Sequence, residues 1–163
     1  MKQLILVRHG KAAISEETFE DVDRPLKLRG VRDSLSIAKT LKEKNITPSQ
    51  ITTSHAARAC HTATIFAECL HFPLESVTIT HKLYNANLKD LLDLIRQTAN
   101  KISVHLLVGH NPTFTFATNE FLKEPIYDLP TTGVALLNFN VDKWEDISRD
   151  NLGHFELVFP KKE

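Results

Sequence analysis

Short apolar runs alternate with longer amphipathic segments along the chain. Compact apolar runs of about four to eight residues are typical of buried strands, whereas apolar residues that recur every three or four positions are typical of helices. The compact runs predict strands at 3–7, 50–53, 77–80, 104–108, 134–141 and 155–159. The helical spacing predicts helices at 28–44, 57–70, 88–99 and 114–122. The acidic stretch 15–24 is expected to form a surface loop.

The order of these elements predicts the fold class. Strands that alternate with helices of about 10–15 residues indicate βαβ units and a parallel sheet. The last two strands follow each other without a helix between them, so we expect them to pair antiparallel at one edge. A length of 163 residues is typical of one domain. We therefore expect residues 1–163 to form a single three-layer α/β/α domain with a mostly parallel central sheet and an antiparallel edge.

Helical spacing also selects the residues expected on the buried faces of the first two helices. In the first helix these are Val31, Leu35, Ile37, Ala38 and Leu41. In the second helix Cys60, Thr64, Ala67 and Cys69 are expected at buried or half-buried positions. The two cysteines lie nine positions apart, which places them roughly 13 Å apart along a helix axis and excludes a disulfide between them. We expect two buried free thiols.

Composition narrows the functional class and the compartment. The 20 lysine and arginine residues balance the 20 aspartate and glutamate residues, and this zero net charge argues against a generic nucleic-acid-binding protein. No apolar run approaches the roughly 18 residues that a membrane span needs. The first ten residues also lack the features of a secretion signal. The chain is therefore expected to be cytoplasmic and to bind neither nucleic acid nor membrane.

Unusual polar residues follow three of the predicted strands. The first strand runs into 8–10, the second into 54–58 and the fourth into 109–111. Because ligands of open α/β sheets bind beyond the carboxyl ends of the strands, we expect these segments to meet at one rim. The rim would bring together two arginines and two histidines, which are Arg8, His9, Arg58 and His110.

Two guanidinium groups beside two imidazoles are suited to bind a phosphate group. Arginine matches phosphate oxygens bidentately, and the start of the helix near Arg58 adds backbone donors. Gly10 is expected among the substrate-binding residues because it leaves room for an oxyanion, as does Gly109. A neutral histidine in such a site is a competent nucleophile. The cluster therefore predicts phosphoryl transfer that requires no metal and no cofactor, since the arginines supply the countercharge.

Each of these residues also has a purely structural interpretation. The pair at 8–9 could lie on a solvated rim, His110 could cap a helix, and Arg58 could be an exposed helix residue with a carboxylate partner. A metal site formed by His55, His61 and His110 is a further alternative. No histidine pair at i and i+4 and no Cys-x-x-Cys spacing accompanies it, which argues against that alternative. The joint occurrence at one sheet edge favours a functional site.

Several motifs occur in order between residue 4 and about residue 144. They are LVRHG at 6–10, DRPL at 23–26 with RG at 29–30, TSHAARACHT at 53–62, LYNA at 83–86, VGHNP at 108–112 and LPTTG at 129–133. This ordered set resembles the histidine phosphatase superfamily, also called the phosphoglycerate mutase-like family. Within that family it is similar to the small SixA-type branch. The resemblance implies a phosphoglycerate mutase-like fold and a phosphatase activity.

The resemblance also implies a role for each residue of the rim. His9 would accept the phosphoryl group, while Arg8, Arg58 and His110 would bind its oxygens. The backbone near 132–133 would border the pocket. His9 must keep its attacking nitrogen unprotonated, so we expect its other ring nitrogen to donate to a fixed acceptor and the activity to fall at acid pH.

The segment 83–92 bears on the substrate. Larger members of the family carry an inserted lid and a glutamate that protonates the leaving group, and this segment shows neither. A phosphoramidate such as phosphohistidine depends less on such an acid, and a pocket without a lid is open to a protein surface. The resemblance therefore implies a phosphohistidine phosphatase whose partner is a histidine-containing phosphotransfer protein of a signalling system and whose product is inorganic phosphate.

Two other functions stay open on the sequence alone. One is a phosphatase of a small phosphometabolite, and the other is a non-catalytic module that binds phosphoproteins. The acidic loop leaves a second question open: Asp21 and Asp23 could reach the rim as a substitute acid, or they could be solvated. Arg24 could pair with either of them.

Overall fold

Six strands form one sheet at the centre of the computed structural model, which describes residues 1–14 and 20–162. In chain order the strands are β1 (Lys2–Arg8), β2 (Gln50–Ser54), β3 (Thr78–Thr80), β4 (Val104–Gly109), β5 (Val134–Phe139) and β6 (Leu152–Val158). Their order across the sheet is β3-β2-β4-β1-β5-β6. The first four strands pair parallel, whereas β5 pairs antiparallel with β1 and with β6. The predicted mostly parallel sheet with an antiparallel edge is confirmed.

Helices cover both faces of this sheet. In chain order they are α1 (Leu28–Glu43), α2 (Ala57–Cys69), α3 (Leu88–Arg96) and α4 (Thr113–Phe121). Successive residues of a strand point to opposite faces. Ile5 therefore packs in a hydrophobic cluster with α1 and α2, whereas Leu6 packs in a second cluster with α3 and α4. The two clusters lie between three layers, and the predicted three-layer α/β/α architecture is confirmed.

The ends of several elements differ from the prediction. α3 ends at Arg96 rather than at residue 99. β6 begins at Leu152 rather than at residue 155. Its pairing with β5 shifts register between Asn138 and Phe139, so the start of β6 is irregular and carries no apolar alternation that could predict it.

One predicted position on the buried face of α1 is wrong. Leu35 is 53% exposed. The buried stripe of this helix instead includes Gly30 and Ser34 at its start. A Cβ atom at Gly30 would lie 2.3 Å from the backbone oxygen of Lys11. Close backbone approach therefore sets the rotation of α1, and the spacing of apolar residues alone does not show it.

On α2, Ala67 is buried as predicted, and Cys60 and Cys69 are half-buried free thiols. The predicted burial of Thr64 is wrong, because Thr64 is exposed. Two polar residues, Arg58 and Thr62, take buried positions on this helix instead. Within the described residues, no helix is both long and apolar enough to cross a membrane.

Candidate active site

The site lies where β1 and β4 end side by side. In their parallel register Arg8 lies opposite Gly109, and the next residue of each segment is a histidine. The ring centroids of His9 and His110 are 5.1 Å apart. The backbone N–H of His9 donates to the carbonyl oxygen of Gly109 at 3.0 Å. The sheet thus brings together two histidines that are far apart in the sequence.

The ring of His9 has one fixed tautomer. Its Nδ1 lies 2.7 Å from the carbonyl oxygen of Gly10, and because a carbonyl only accepts, Nδ1 carries the proton and Nε2 is unprotonated. The amide of Gly10 in turn donates to Oγ1 of Thr62 at 3.0 Å, which anchors the acceptor. Burial lowers the pKa of His9 to about 4. The hydrogen bond to Gly10 opposes this effect, and the nearby arginines add to it. His9 is therefore neutral at pH 7.

Arg58 is the buried cation of the site. It lies in the first turn of α2, and its side chain is 7% exposed. Its Nε lies 3.4 Å from Nε2 of His9. Its Nη1 donates to the backbone oxygen of Asp21 at 2.6 Å, and its Nη2 donates to Oδ2 of the same residue at 3.1 Å. One guanidinium group thus donates both to Nε2 of His9 and to Asp21.

Arg8 is the second cation. Its Nη1 donates to the carbonyl oxygen of Leu129 at 3.0 Å and lies 3.5 Å from the carboxylate of Asp128. Asn111 donates to both of these acceptors at 2.8 Å and so fixes them. Burial lowers the pKa of Arg8, and Asp128 opposes this effect, but a guanidinium stays protonated at neutral pH. Its buried Nε has no hydrogen-bond partner among the described residues.

His110 is oriented by a neighbouring strand. Its Nε2 lies 2.8 Å from Oγ of Ser54, the last residue of β2. Burial is the largest cause that lowers the pKa of His110 to about 3. The nearby His9 and Arg58 add to this effect, and Asp21 opposes it. Sequence reasoning assigned no role to Ser54, although its place at the end of a strand beside the rim is a signal that could have found it.

These residues line one open pocket of about 340 Å³. Its walls include Arg8, His9, Lys11, Arg24, Arg58, Tyr84, Asn85, His110, Asn111 and Thr131. The structure therefore places the four predicted residues, two arginines and two histidines, in a single cavity. The cavity holds several positive charges over a neutral imidazole nitrogen, and this arrangement suits a bound phosphoryl group.

Asp21 reaches the pocket, which resolves a question that the sequence left open; residues 15–19 of the predicted surface loop lie outside the described part of the chain. Asp21 accepts a hydrogen bond from Arg58, as described above, and a second one from the Tyr84 hydroxyl at 2.5 Å. Arg24 pairs with the other carboxylate oxygen at 2.9 Å. The Tyr84 hydrogen bond, followed by that of Arg24, holds the pKa of Asp21 well below its usual range. Asp21 is therefore ionised at neutral pH and does not supply a proton, while Asp23 is exposed.

The two glycines have a role that differs from the expected one. Gly10 is buried, and both of its backbone polar groups are used inside the protein. A Cβ atom there would lie 3.0 Å from the carbonyl oxygen of Gly30. A Cβ atom at Gly109 would lie 2.4 Å from the ring of Phe114. Both glycines thus permit close packing behind the pocket, and the structure gives Gly10 a contact with His9 rather than a place on the pocket wall.

The remaining histidines lie outside this arrangement. His55 packs against His81, with ring centroids 4.1 Å apart. His105, expected to be packed or hydrogen-bonded, is 1% exposed and contacts the hydroxyls of Thr52 at 2.7 Å and Thr98 at 2.9 Å. Within residues 1–14 and 20–162, no group of three or more histidine, cysteine, aspartate or glutamate side chains is placed to hold a metal ion.

Comparison with known proteins identifies the family. The family model of the histidine phosphatase superfamily (branch 1) matches residues 4–101, which is more than half of the chain. The chain belongs to the histidine phosphatase superfamily. This histidine phosphatase is also 25% identical, over 158 residues, to an uncharacterized protein of Mycobacterium leprae, and the match covers 89% of this chain and 94% of that protein.

Solved structures of the superfamily share the fold of this histidine phosphatase. The SixA protein of Agrobacterium tumefaciens superposes with a TM-score of 0.80 at 24% identity, over 98% of both chains. The protein histidine phosphatase SixA in complex with tungstate gives a TM-score of 0.77 at 22% identity, over 94% of both chains. A mycobacterial glucosyl-3-phosphoglycerate phosphatase gives 0.66 at 14% identity, over 97% of both chains. The fold is that of the SixA-type branch.

Proposed function

We propose that this phosphatase removes the phosphoryl group from phosphohistidine in a histidine-containing phosphotransfer protein. The observation that carries the proposal is the unprotonated Nε2 of His9, which lies in the open pocket 3.4 Å from Nε of Arg58. A neutral imidazole nitrogen beside a guanidinium group can attack a phosphorus atom whose oxygens the guanidinium holds. We also propose that 1–163 act as one histidine phosphatase domain, because all six strands share one sheet.

The reaction has two displacements. In the first, the Nε2 lone pair of His9 forms a bond to phosphorus, and the P–N bond of the substrate breaks with its electron pair on the leaving imidazole. In the second, water attacks phosphorus and one of its protons passes to a phosphoryl oxygen, while the bond to Nε2 breaks with its electron pair on the ring, and inorganic phosphate leaves. Arg8, Arg58 and His110 bind the phosphoryl oxygens in both steps and stabilise the charge that they carry.

The state of the pocket side chains favours a phosphoramidate over a phosphate ester. An alkoxide is a poor leaving group and needs a proton donor. The Asp21 carboxylate, which contacts Arg58, is ionised, since its pKa is held well below the usual range. Burial keeps His9 and His110 neutral, with pKa values of about 4 and about 3. When phosphohistidine carries a proton on its second ring nitrogen, the histidine ring leaves as a neutral imidazole. The reaction then requires no proton from these groups.

Three substrates test the proposal side by side. They are a histidine-phosphorylated phosphotransfer domain, a phosphoserine peptide and an aryl phosphate, each with the wild type, with His9→Ala and with His154→Ala. His154 is an exposed histidine of β6 and serves as the matched control. Rapid phosphate release from the phosphotransfer domain alone, lost in His9→Ala and kept in His154→Ala, is the expected result.

A radiolabelled substrate identifies the intermediate. An alkaline quench preserves phosphohistidine, and we expect label on the wild-type protein but none on His9→Ala. Turnover of the aryl phosphate alone would assign the enzyme to small phosphometabolites. Binding of the phosphotransfer domain without turnover of any substrate would indicate a phosphoprotein-binding module. Either result would overturn the proposal.

A further inference from the structure

Asp21 makes a contact that is unusual in an anion-binding site. Its carboxylate accepts a hydrogen bond from Arg58, whose guanidinium group is expected to bind phosphate. Its backbone oxygen and its Oδ2 atom accept from Nη1 and Nη2 of Arg58, at 2.6 Å and 3.1 Å. Two opposite effects are conceivable. The carboxylate could compete with the phosphoryl group, or it could position Arg58 to receive that group.

The geometry of the guanidinium group decides between these effects. A guanidinium has two edges on which it can bind two oxygens at once, one formed by Nη1 and Nη2 and the other by Nε and Nη2. Asp21 accepts from both nitrogens of the first edge. On the second edge, Nε donates to Nε2 of His9 at 3.4 Å. Binding of Asp21 at the end of the side chain therefore leaves Nε directed at the nucleophile, where an entering phosphoryl oxygen takes the place of Nε2 as its acceptor.

Asp21 is itself held in place on its other sides. The Tyr84 hydroxyl donates to Oδ2 at 2.5 Å, and Nη1 of Arg24 donates to Oδ1 at 2.9 Å. Tyr84 also packs edge-on against His110, with ring centroids 5.5 Å apart. Both carboxylate oxygens are thus fixed by groups that belong to the pocket, so the position of Asp21 and the position of Arg58 depend on each other.

We propose that Asp21 is a positioning residue that holds the outer edge of the Arg58 guanidinium group and so directs its Nε–Nη2 edge toward the phosphoryl group at His9. This inference rests on the proposed function, in which Arg58 binds the phosphoryl oxygens. Loss of the carboxylate removes the charged acceptor of Nη2, whereas the backbone oxygen still accepts from Nη1, so the Nε–Nη2 edge is held less firmly. A displacement of about 1 Å at such a group lowers the rate of a reaction by up to about a hundredfold.

The test uses Asp21→Asn and a matched control, Asp93→Asn. Asp93 is also an ion-paired aspartate, because it contacts Lys89 at 2.7 Å, but it lies on α3. For each protein we would measure the Kd of inorganic phosphate by NMR titration and the kcat and KM for the best substrate of the wild type. In Asp21→Asn we expect phosphate to bind several-fold more weakly and kcat to fall about tenfold. In Asp93→Asn we expect neither change.

The sign of the effect on phosphate separates positioning from competition. Removal of a competing negative charge would tighten phosphate binding, and tighter or unchanged binding in Asp21→Asn overturns the inference. An Arg58→Met background provides the second check. There, Asp21→Asn should weaken phosphate binding less than twofold, because no guanidinium remains to be positioned. If Asp21→Asn weakened phosphate binding equally in the wild type and in Arg58→Met, Asp21 would act by holding its own segment in place rather than through Arg58. That result would also overturn the inference.

The phosphate titration does not depend on turnover. If the wild type turned over none of the substrates, the proposed function would fail while the titration still reported on Asp21 and Arg58. If the wild type turned over phosphohistidine and Asp21→Asn bound phosphate normally, the inference alone would fail.

Discussion

The protonation of His9 is the property on which the proposed chemistry depends most directly. Burial lowers its pKa to about 4 from the ordinary value of 6.5. At pH 5.5 about nine in ten imidazole rings with the ordinary pKa would be protonated, but only about one in thirty with a pKa of about 4. We therefore expect the attacking nitrogen to stay free through pH 5.5 and to be lost between about pH 5 and pH 3.

NMR titration of the histidine ring carbons measures this pKa. The His9 signal is assigned by its absence in His9→Gln, and the buffer contains no phosphate because a bound dianion would raise the pKa of the ring. We expect a midpoint near pH 4 in the wild type. In Arg58→Met the midpoint should rise, because a nearby positive charge is removed, yet it should stay below 6.5, because burial is the larger cause.

Steady-state kinetics provide an independent measurement. The acid limb of kcat/KM reports on the free enzyme, after correction for the protonation of the substrate itself. Its midpoint should agree with the NMR value. A midpoint between pH 6 and pH 7 in both experiments would refute the argument, since it would show that the ring is solvated as in a model peptide.

Three further predictions follow from contacts around the site. Ser54→Ala removes the hydroxyl that lies 2.8 Å from Nε2 of His110; we expect kcat to fall about tenfold, and a normal rate would show that the contact is dispensable. The melting temperature should also fall, because the same hydroxyl oxygen accepts from the buried N–H of Ala56. Gly109→Ala places a Cβ atom 2.4 Å from the ring of Phe114; urea denaturation should show a loss of about 1–3 kcal/mol, and an equally stable variant would contradict the close packing. Burial lowers the pKa of His105 to about 4, so the unfolded chain takes up its proton first and stability declines as the pH falls from 6.5 to 4. Urea denaturation across that range should show a shallower decline in His105→Gln, whereas parallel curves would show that His105 does not contribute.

Much of the fold could be read from hydrophobicity, because burial in a sheet requires compact apolar runs. The run at 3–7 and the run at 104–108 became the two central parallel strands. The placement of Arg8, His9 and His110 at one rim then follows from the parallel direction, since the carboxyl ends of such strands share an edge.

The faces of the helices were harder to predict, because backbone contact rather than hydrophobicity sets them. Leu35 is exposed while Ser34 is buried, since α1 approaches the segment after β1 at Gly30. The burial of Arg58 on α2 also depends on a contact between distant segments. Asp21 accepts two hydrogen bonds from its guanidinium group and balances its charge, and only the tertiary structure brings these two residues together.

The amino-acid sequence by itself determined the order of the strands and helices, the sheet edge at which the polar residues meet and the types of side chain present there. These features depend on local periodicity and on the direction of the chain. Only the tertiary structure decided which nitrogen of His9 is free, how strongly burial lowers its pKa and which edge of Arg58 faces it. These features depend on desolvation and on contacts between segments distant in the sequence, because the field at a buried group is the sum of all its neighbours in space.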